Sequence, residues 1–397
     1  FISCAKKNTL TTAEQLEKDV VYLAGDSLEG RYTGSEGEHK AAAYIVERFK
    51  ALKLQPKGDK GTYFQEFSFT PRANPHQIPD TTAAPAEKIT GTNVIGYIDN
   101  KSNTTVVIGA HYDHLGYGGE GSLYREGKAI HNGADDNASG VALLLDMASK
   151  LQRKNTANNY LFVAFSGEEL GLLGSNYFVK HATIPMDEVN YMLNFDMVGR
   201  LNEEKSLAVN GTGTSPVWES SLNGVSNDFT LVMKASGVGP SDHTSFYLNN
   251  IPVLHFFTGQ HEDYHKPSDD SNTLNYNGME TISGYVFNLV SELNDDGKLS
   301  FVKTKDESQD APRFKVTLGV VPDYMYSGKG MRIDGVTEDR PAAKAGLKKG
   351  DVVMKIGDYE IEDMMGYMKA LSKFEAGQTA KVTVNREGKP ILVDVTF

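Results

Sequence analysis

Short apolar runs alternate along most of this chain with segments of helical periodicity, and this alternation restricts the fold more than any other feature. The run 105–110 is almost wholly apolar, as expected of a strand that is covered on both faces of its sheet. The other predicted strands lie at 93–98, 160–165, 190–195 and 251–256, and the predicted helices lie within 12–54 and at 139–150, 170–180 and 279–293. The alternation predicts an α/β fold, with a mixed, mainly parallel sheet between helix layers.

The chain changes its pattern near residue 300. Its 397 residues exceed the usual length of one domain, and the polar, charged stretch 303–312 is followed by short strand patterns and glycine turns. We therefore expect a large domain at 12–300, a linker at 301–312 and a small β-rich domain at 313–397. The Pro-, Thr- and Ala-rich stretch 71–87 is expected to be a surface excursion of the large domain.

Charge and cysteine content restrict the partners of the protein. The net charge of −12 disfavours a nucleic-acid partner, and no stretch approaches the roughly 20 apolar residues of a membrane helix.

The single cysteine, Cys4, lies in a segment that resembles the end of a bacterial lipoprotein signal. This resemblance predicts a truncated signal at 1–11, a cell-envelope location (periplasmic or secreted) and membrane attachment only through a lipid on Cys4. The alternative is a lone reduced cysteine in a frayed terminus.

Ionisable side chains follow the predicted strands. Ligands of open α/β sheets collect beyond the carboxyl ends of the strands, and unpaired buried charges are costly, so a metal is a natural partner for a cluster there. Two histidines and three carboxylates, one of them bridging, would suit a pair of zinc ions roughly 3.5–4 Å apart. Five segments deliver imidazole or carboxylate groups to this position: 111–114, the turn with Asp136, 168–169, Asp196 and 261–265.

The motifs that carry these residues match a known family. The chain resembles, from about residue 12 to 293, the bacterial zinc aminopeptidases with a co-catalytic metal pair (the leucyl aminopeptidase, aminopeptidase S and aminopeptidase Y types), which are related to glutamate carboxypeptidase and glutaminyl cyclase. The resemblance implies the zinc-exopeptidase fold. Its motifs here are His111-x-Asp113, Gly133-Ala134-Asp135-Asp136-Asn137-x-Ser139-Gly140, Glu168-Glu169-x-Gly171, Asn194-x-Asp196, Ser241-Asp242-His243 and Tyr264-His265.

The resemblance also implies a ligand set and an activity. One zinc ion would be held by His111 and Asp196, the other by Glu169 and His265, and Asp136 would bridge both. The implied activity is hydrolysis of N-terminal residues from peptides that have a free N-terminus. Metal coordination would supply the nucleophile by lowering the pKa of a water molecule towards 7.

Three further residues receive catalytic roles from the same resemblance. Glu168 would be the general base, provided that its side chain diverges from that of Glu169. Tyr264 would donate a hydrogen bond to the tetrahedral oxyanion. Asp113 would support catalysis by orienting the His111 ring.

Several neighbouring polar residues are more simply explained by structure. We expect His114, His131 and His255 to be packed or surface histidines. Asp135 and Asn137 are expected to hold the turn around Asp136, and Asp242 and His243 to shape the site. Asp269 and Asp270 are expected to be ordinary turn or cap residues.

The segment 261–265 also fits the HExxH pattern of another metalloprotease class, which requires a helix. Gly259 and Pro267 around it indicate a loop instead.

The C-terminal segment 340–353 resembles a PDZ domain of the type attached to bacterial envelope proteases. In that case 318–320 would form the loop that receives a peptide C-terminus, and a helix near 363–372 would wall the groove. Pro322 lacks an N–H and Asp323 would repel a carboxylate, which count against such binding. The alternative is a domain that only packs on the catalytic unit.

Other functions remain open at the level of sequence. The same fold could serve a carboxypeptidase or a glutaminyl cyclase, or an inactive peptide-binding protein. We find no arginine cluster suited to a substrate carboxylate, and a full set of ligands for two metals argues against the single-zinc cyclases. An intact ligand set and base argue against an inactive protein.

Overall fold

The computed structural model describes most of the chain. The described residues are 10–70, 88–119, 121–225, 228–305, 316–323, 326, 328–336 and 340–397. The predicted surface excursion at 71–87 and the predicted lipidation site Cys4 lie outside them. No helix in the described ranges is long and apolar enough to cross a membrane.

The larger part of the chain builds one sheet and its covering helices. The strands are β1 (Gln55–Pro56), β2 (Phe64–Phe69), β3 (Ile89–Ile98), β4 (Thr105–His111), β5 (Asn159–Phe165), β6 (Val189–Phe195), β7 (Ser206–Asn210), β8 (Thr230–Lys234) and β9 (Val253–Phe257). The helices are α1 (Thr12–Leu23), α2 (Glu36–Ala51), α3 (Gly140–Lys150), α4 (Leu173–Lys180), α5 (Trp218–Gly224), α6 (His243–Tyr247) and α7 (Tyr276–Glu292).

The centre of the sheet is parallel. Its strand order is β1-β3-β5-β4-β6-β9-β7-β8, with β2 paired to β3. Strands β5, β4, β6 and β9 run in the same direction, while β3 and β7 are antiparallel to their neighbours β5 and β9. The predicted mixed sheet is therefore confirmed; only its centre and the β7–β8 pair are parallel, and the pairings of β1, β2 and β3 and the β7–β9 pair are antiparallel. Because the central strands are parallel, their carboxyl ends open on one edge.

Helices cover both faces of this sheet. Alternate residues of β4 point to opposite sides, so that Val106 and Ile108 join the core beneath α1, α2, α3 and α7, and Val107 joins a second core beneath α4 and α6. Every residue of β4, β5 and β6 is buried, which explains their nearly continuous apolar sequence.

The sequence pattern located the buried elements better than the exposed ones. The strands predicted at 93–98, 105–110, 160–165 and 190–195 all lie within observed strands. Strands β1, β2, β7 and β8 were not predicted. Strand β1 is exposed and β8 only partly buried, whereas β7 is buried at its centre but only five residues long, so none of these three has a strong apolar pattern.

The C-terminal part forms a separate β-rich unit with its own apolar core. Its sheet has the order β10-β11-β12-β14-β15, with β13 paired to β12, and every pairing is antiparallel. Its elements are β10 (Val320–Pro322), β11 (Met331–Val336), α8 (Pro341–Lys344), β12 (Val352–Ile356), β13 (Tyr359–Glu360), α9 (Met364–Leu371), β14 (Thr379–Arg386) and β15 (Lys389–Thr396).

The segment between the two parts is described only at its start. Residues 306–315 lie outside the described ranges, so the limits predicted for the linker and the small domain stay predictions. The start of the predicted linker is hydrogen-bonded to the large part: Val302 N–H donates to Thr214 O over 2.8 Å, and Thr304 N–H donates to Tyr247 Oη over 3.0 Å.

Candidate metal centre

The ionisable residues expected at the strand ends converge in one cavity of about 730 Å³. His111 is the last residue of β4, and Asp196 directly follows β6. The other members come from the turn before α3, from the loop after β5 and from the loop after β9. All the candidate ligands and the candidate base line this cavity: His111, Asp136, Glu168, Glu169, Asp196 and His265.

The carboxylate of Asp136 lies between two imidazoles. Its Oδ1 is 3.3 Å from His111 Nε2, and its Oδ2 is 3.2 Å from His265 Nε2. On the first side, Asp196 Oδ1 lies 3.5 Å from His111 Nε2; on the second, Glu169 Oε2 lies 3.3 Å from His265 Nε2. Each side thus offers one imidazole nitrogen and one carboxylate besides the shared one. This nitrogen and oxygen donor set fits a zinc pair with one bridging carboxylate.

Main-chain carbonyls orient both imidazole rings. His111 Nδ1 lies 3.2 Å from Asp113 O, and His265 Nδ1 lies 2.8 Å from Gly121 O. An N–H at Nδ1 donates to these carbonyls, which leaves Nε2 facing the carboxylates and available to a metal ion once it carries no proton. This is the tautomer that a metal ligand requires.

Asp113 acts on more than the His111 ring. Its Oδ1 is 3.7 Å from His111 Nδ1, which is too long for a hydrogen bond, so the orienting contact comes from its main chain. The same Oδ1 accepts the N–H of Glu168 over 3.1 Å, and Oδ2 accepts the Thr33 hydroxyl over 3.1 Å. Asp113 therefore also holds the backbone of the adjacent glutamates.

The adjacent glutamates point to opposite sides of the site. Glu169 reaches the His265 side, whereas Glu168 Oε2 lies 4.0 Å from His111 Nε2, on the other side. Tyr264 lines the cavity, and its ring stacks on His265 with 3.8 Å between centroids. The divergence of the two glutamates leaves Glu168 beside the ligand cluster.

The buried carboxylates strongly favour positive charge in the cluster. Burial would lower the pKa of His111, but Glu168 and Asp196 raise it well above its usual value. Burial likewise opposes charge on His265, but Glu169 and Asp136 raise its pKa to about 11. In a chain without metal, protons on these rings take the place that cations would occupy.

His114, expected to be a packed or surface histidine, is a contact of the cluster. Its Nδ1 lies 2.7 Å from Glu169 Oε1, and it forms a group of closely spaced potential metal-binding atoms with Asp136 and Glu169. We nevertheless favour His265 as the ligand, because its Nε2 faces the carboxylates of both Asp136 and Glu169. His114 instead makes a direct hydrogen bond to Oε1 of Glu169, the oxygen that does not face His265. The only sequence feature that could have indicated this role of His114 is its position three residues after His111.

A network of hydrogen bonds holds the turn that carries Asp136. Asn137 donates from Nδ2 to Phe195 O over 2.9 Å, and Asp135 Oδ1 accepts the Gly199 N–H over 2.7 Å. The expected role of Asp135 and Asn137 is thereby confirmed. Asp269, expected to be an ordinary turn residue, accepts the N–H groups of both Asp135 and Asp136 over 3.0 Å. It joins the loop after β9 to this turn.

Arg31 is a second contact that sequence reasoning missed. The buried guanidinium donates to Tyr112 O over 2.8 Å, to Asn132 O over 2.7 Å, to Gly133 O over 2.9 Å and to Leu23 O. Tyr112 follows His111, and 132–133 precede Asp136. Burial lowers the pKa of Arg31 to about 10, which still leaves the group charged at neutral pH. Arg31 thus joins the two segments that place these ligands.

The HExxH interpretation of 261–265 is wrong. The segment forms no helix, and its two histidines face different groups: His261 Nε2 contacts Asp135 Oδ2 over 3.1 Å, while His265 contacts Asp136 and Glu169.

The other expected structural histidines are buried and do not carry a ligand position. His131 contacts the Ser122 hydroxyl over 2.7 Å, and the ring of His243 stacks on that of His255 with 4.5 Å between centroids. Asp242 and His243 do not line the cavity. Burial raises the pKa of Asp242 to about 7.

Comparisons with known proteins match two different parts of the chain. A model described as "Peptidase family M28" matches residues 93–290, and one described as "PDZ domain" matches 299–397. The chain is 31% identical over 218 residues to "Aminopeptidase YwaD" of Bacillus subtilis (strain 168), a match that covers 51% of this chain and 45% of that protein. It is 30% identical over 295 residues to a "Probable leucine aminopeptidase" of Trichophyton verrucosum, which covers 70% of this chain and 71% of that protein.

A solved structure shows the same fold. BSAP, a zinc aminopeptidase from Bacillus subtilis, aligns with a TM-score of 0.56 and 20% identity over 72% of this chain and 95% of that chain.

Replacing Arg31 by lysine should weaken zinc binding. A lysine cannot serve the four carbonyls with a planar fork, so the segments before Asp136 and after His111 lose their common donor. Loss of such orienting contacts typically lowers metal affinity by about 10–100-fold. We would measure zinc affinity by chelator competition. Arg48→Lys is the matched control, because Arg48 binds Asp19 away from the cavity. Equal zinc affinity in the Arg31 variant and the wild type would contradict the role of Arg31.

Zinc binding to the metal-free protein should release protons and strengthen with pH. The raised pKa values of His111 and His265 mean that both rings are protonated at pH 7 before metal binds, and a ligand nitrogen must lose its proton. Affinity should therefore fall as the pH is lowered. Titration calorimetry in buffers of different ionisation enthalpy would measure the released protons. His181→Gln, at an exposed site, should leave the value unchanged. A binding enthalpy that is independent of the buffer would show this prediction to be wrong.

Proposed function

The chain belongs to peptidase family M28 and carries a C-terminal PDZ domain, and from this premise we propose that it is a dizinc aminopeptidase that removes N-terminal residues from peptides. The observation that carries the proposal is the Asp136 carboxylate, which contacts one imidazole with each of its oxygens. The similarity to zinc aminopeptidases supports the choice of metal and reaction.

Five side chains would hold the ions. His111 and Asp196 would bind one, Glu169 and His265 the other, and Asp136 both. When bound, such a pair lowers the pKa of a water molecule and polarises the scissile carbonyl. The chain surrounds the ligands with hydrogen bonds from main-chain groups, so that little reorganisation is needed when the cluster is filled.

Glu168 is the proposed general base. Its carboxylate lies 4.0 Å from His111 Nε2 and lines the cavity, so it can take a proton from the attacking water and pass it to the leaving amine. Burial and the carboxylates of Asp196 and Glu169 raise the pKa of Glu168 well above its usual value, although His111 opposes them.

Tyr264 is the proposed donor to the oxyanion. Burial and the carboxylates Asp136 and Glu169 raise the pKa of its hydroxyl well above 10, so the group stays protonated and can donate. Its stacking on His265 places it at the ligand cluster. The donor would act on charge that develops only as the carbonyl is attacked.

The remaining assignments extend this proposal. Lipidation of Cys4 and a location in the cell envelope are proposed on the sequence of the N-terminal segment alone. Peptide binding by the C-terminal domain is proposed on its match to PDZ domains.

A panel of modified peptides tests the reaction type. Each member is offered to the zinc-loaded protein free, N-acetylated or C-amidated. An aminopeptidase should cleave peptides with a free N-terminus and none that are acetylated. Cleavage that survives acetylation would identify an endopeptidase or a carboxypeptidase. Absence of cleavage in every form would favour a cyclase or an inactive binding protein.

Glu168→Gln should lower kcat by about 10²–10⁴-fold, because the amide cannot accept the proton from water. Zinc content should not change, since the proposed ligands are other residues. The measurements are steady-state kinetics and metal analysis of the same preparation. Glu262→Gln is the control, because Glu262 is exposed on the neighbouring loop. Near-normal turnover in the Glu168 variant would overturn the proposed base.

Tyr264→Phe should lower kcat by about 10²–10³-fold with a smaller effect on KM, because the lost hydrogen bond acts mainly in the transition state. The ring remains, so its stacking on His265 is preserved. An equal loss in kcat and in substrate affinity would instead indicate that Tyr264 holds the bound substrate.

A further inference from the structure

A buried carboxylate, that of Glu38, contacts the loop that carries the two glutamates of the site. Glu38 lies in the first turn of α2 and is fully buried. Its Oε2 accepts the Gly34 N–H over 2.6 Å, and its Oε1 accepts the Ser166 hydroxyl. The first contact belongs to the start of the helix, whereas the second joins residues 128 positions apart in the chain. Capping of α2 therefore accounts for only one oxygen of Glu38.

Ser166 is the first residue of this loop and is held at its base. It directly follows β5 and is buried. Its N–H donates to Asn93 Oδ1 over 3.1 Å, and its carbonyl accepts the Gly174 N–H over 2.9 Å. Asn93 Nδ2 also donates to Gly174 O over 2.9 Å. These contacts close the loop at its two ends and join it to β3, so the Glu38 contact is a further one, from the side of α2.

The segment 33–38 supports the same loop by a second route. The Thr33 hydroxyl donates to Asp113 Oδ2 over 3.1 Å, and Asp113 Oδ1 accepts the N–H of Glu168 over 3.1 Å. Ser166, which Glu38 contacts, stands two residues before Glu168. The main chain of Glu168 is thus supported from this segment both through Ser166 and through Asp113.

Electrostatic repulsion acts on the Glu168 side chain and makes such support necessary. The negative charges of Asp196 and Glu169 both disfavour a charged Glu168, and His111 opposes them. Repulsion between carboxylates is strong where water is largely excluded. The position of Glu168 Oε2, 4.0 Å from His111 Nε2, is therefore kept only if the main chain of the loop is fixed.

Glu38 is itself held firmly. A Cβ on Gly37 would lie 1.8 Å from Leu28 O, so the start of α2 packs directly on the segment that precedes it. Burial of a carboxylate is costly unless donors satisfy its oxygens, and each oxygen of Glu38 has a donor. A carboxylate fixed in this way can serve as an anchor for the Ser166 hydroxyl.

We propose that Glu38 is a positioning residue for the general base: through the Ser166 hydroxyl it holds the start of the loop so that the side chains of Glu168 and Glu169 diverge. The proposal rests on the dizinc aminopeptidase function proposed above. It assigns a role in catalysis to α2, which lies outside the ligand motifs.

Ser166→Ala tests this link, because it removes the hydroxyl and leaves the contact of Glu38 with Gly34. The variant should lower kcat for leucine p-nitroanilide by about 10–100-fold with little change in KM, because a displaced base slows the chemical step. Zinc content should equal that of the wild type. Glu38→Gln should also lower kcat, and the double variant should be no slower than the slower single variant, since both changes weaken one link.

Ser283→Ala is the matched control. It removes another buried hydroxyl that donates to a carboxylate, that of Asp146, and neither residue lines the cavity. This variant should lose thermal stability but keep the wild-type kcat. A kcat as low as that of Ser166→Ala would show a general effect of losing a buried hydrogen bond and would overturn the proposal.

The Glu168→Gln background separates positioning of the base from other effects. Adding Ser166→Ala there should not lower the residual kcat further, because the positioned group is already inactive. A further loss would overturn the role, and so would wild-type kcat in Ser166→Ala alone. A fall in zinc content of Ser166→Ala would place its effect on Glu169 and would overturn the role for Glu168.

The wild type and Glu168→Gln separate failure of this proposal from failure of the proposed function. If the wild type cleaves neither leucine p-nitroanilide nor Leu-Ala-Ala, or if Glu168→Gln is fully active, the proposed function or its base fails and the positioning role fails with it. If both proteins behave as proposed and Ser166→Ala keeps the wild-type kcat, only the positioning role fails.

Discussion

The contact on which the site depends is that of the Asp136 carboxylate with two imidazoles, one at each oxygen. Four carboxylates and two histidines come together where water is largely excluded, and such an arrangement is stable only if positive charge accompanies it. Protons on His111 and His265 can supply this charge, as their raised pKa values show, and metal ions can replace the protons. The cluster can therefore accept either protons or metal ions as its source of positive charge.

The surroundings of this contact are made mostly of backbone hydrogen bonds. Arg31 joins the segments next to His111 and Asp136, Asp269 accepts two N–H groups of the turn, and carbonyl oxygens orient the rings. In each of these contacts one partner is a main-chain N–H or carbonyl group, whose position is fixed by the path of the chain. The candidate ligand atoms are consequently held in place by their surroundings, which would limit the reorganisation needed on binding an ion.

Both parts of the chain line the cavity that contains the candidate metal ligands. Residues 93–290 match the peptidase family, and residues 299–397 match the PDZ domain, yet one cavity is lined from both. Val320 and Pro322 of the edge strand β10 line the cavity together with the candidate metal ligands.

The sequence by itself determined the class of fold and brought the candidate ligands to one edge, because parallel buried strands have nearly continuous apolar sequences and their carboxyl ends open together. It did not reveal the contacts of Arg31, His114 and Asp269, since a buried cation on carbonyls or a carboxylate on N–H groups leaves no periodic signal. Nor could it decide whether the carboxylate or the main-chain carbonyl of Asp113 orients the His111 ring, or locate β10 at the cavity. These features depend on distances between segments far apart in the chain, and only the tertiary structure sets such distances.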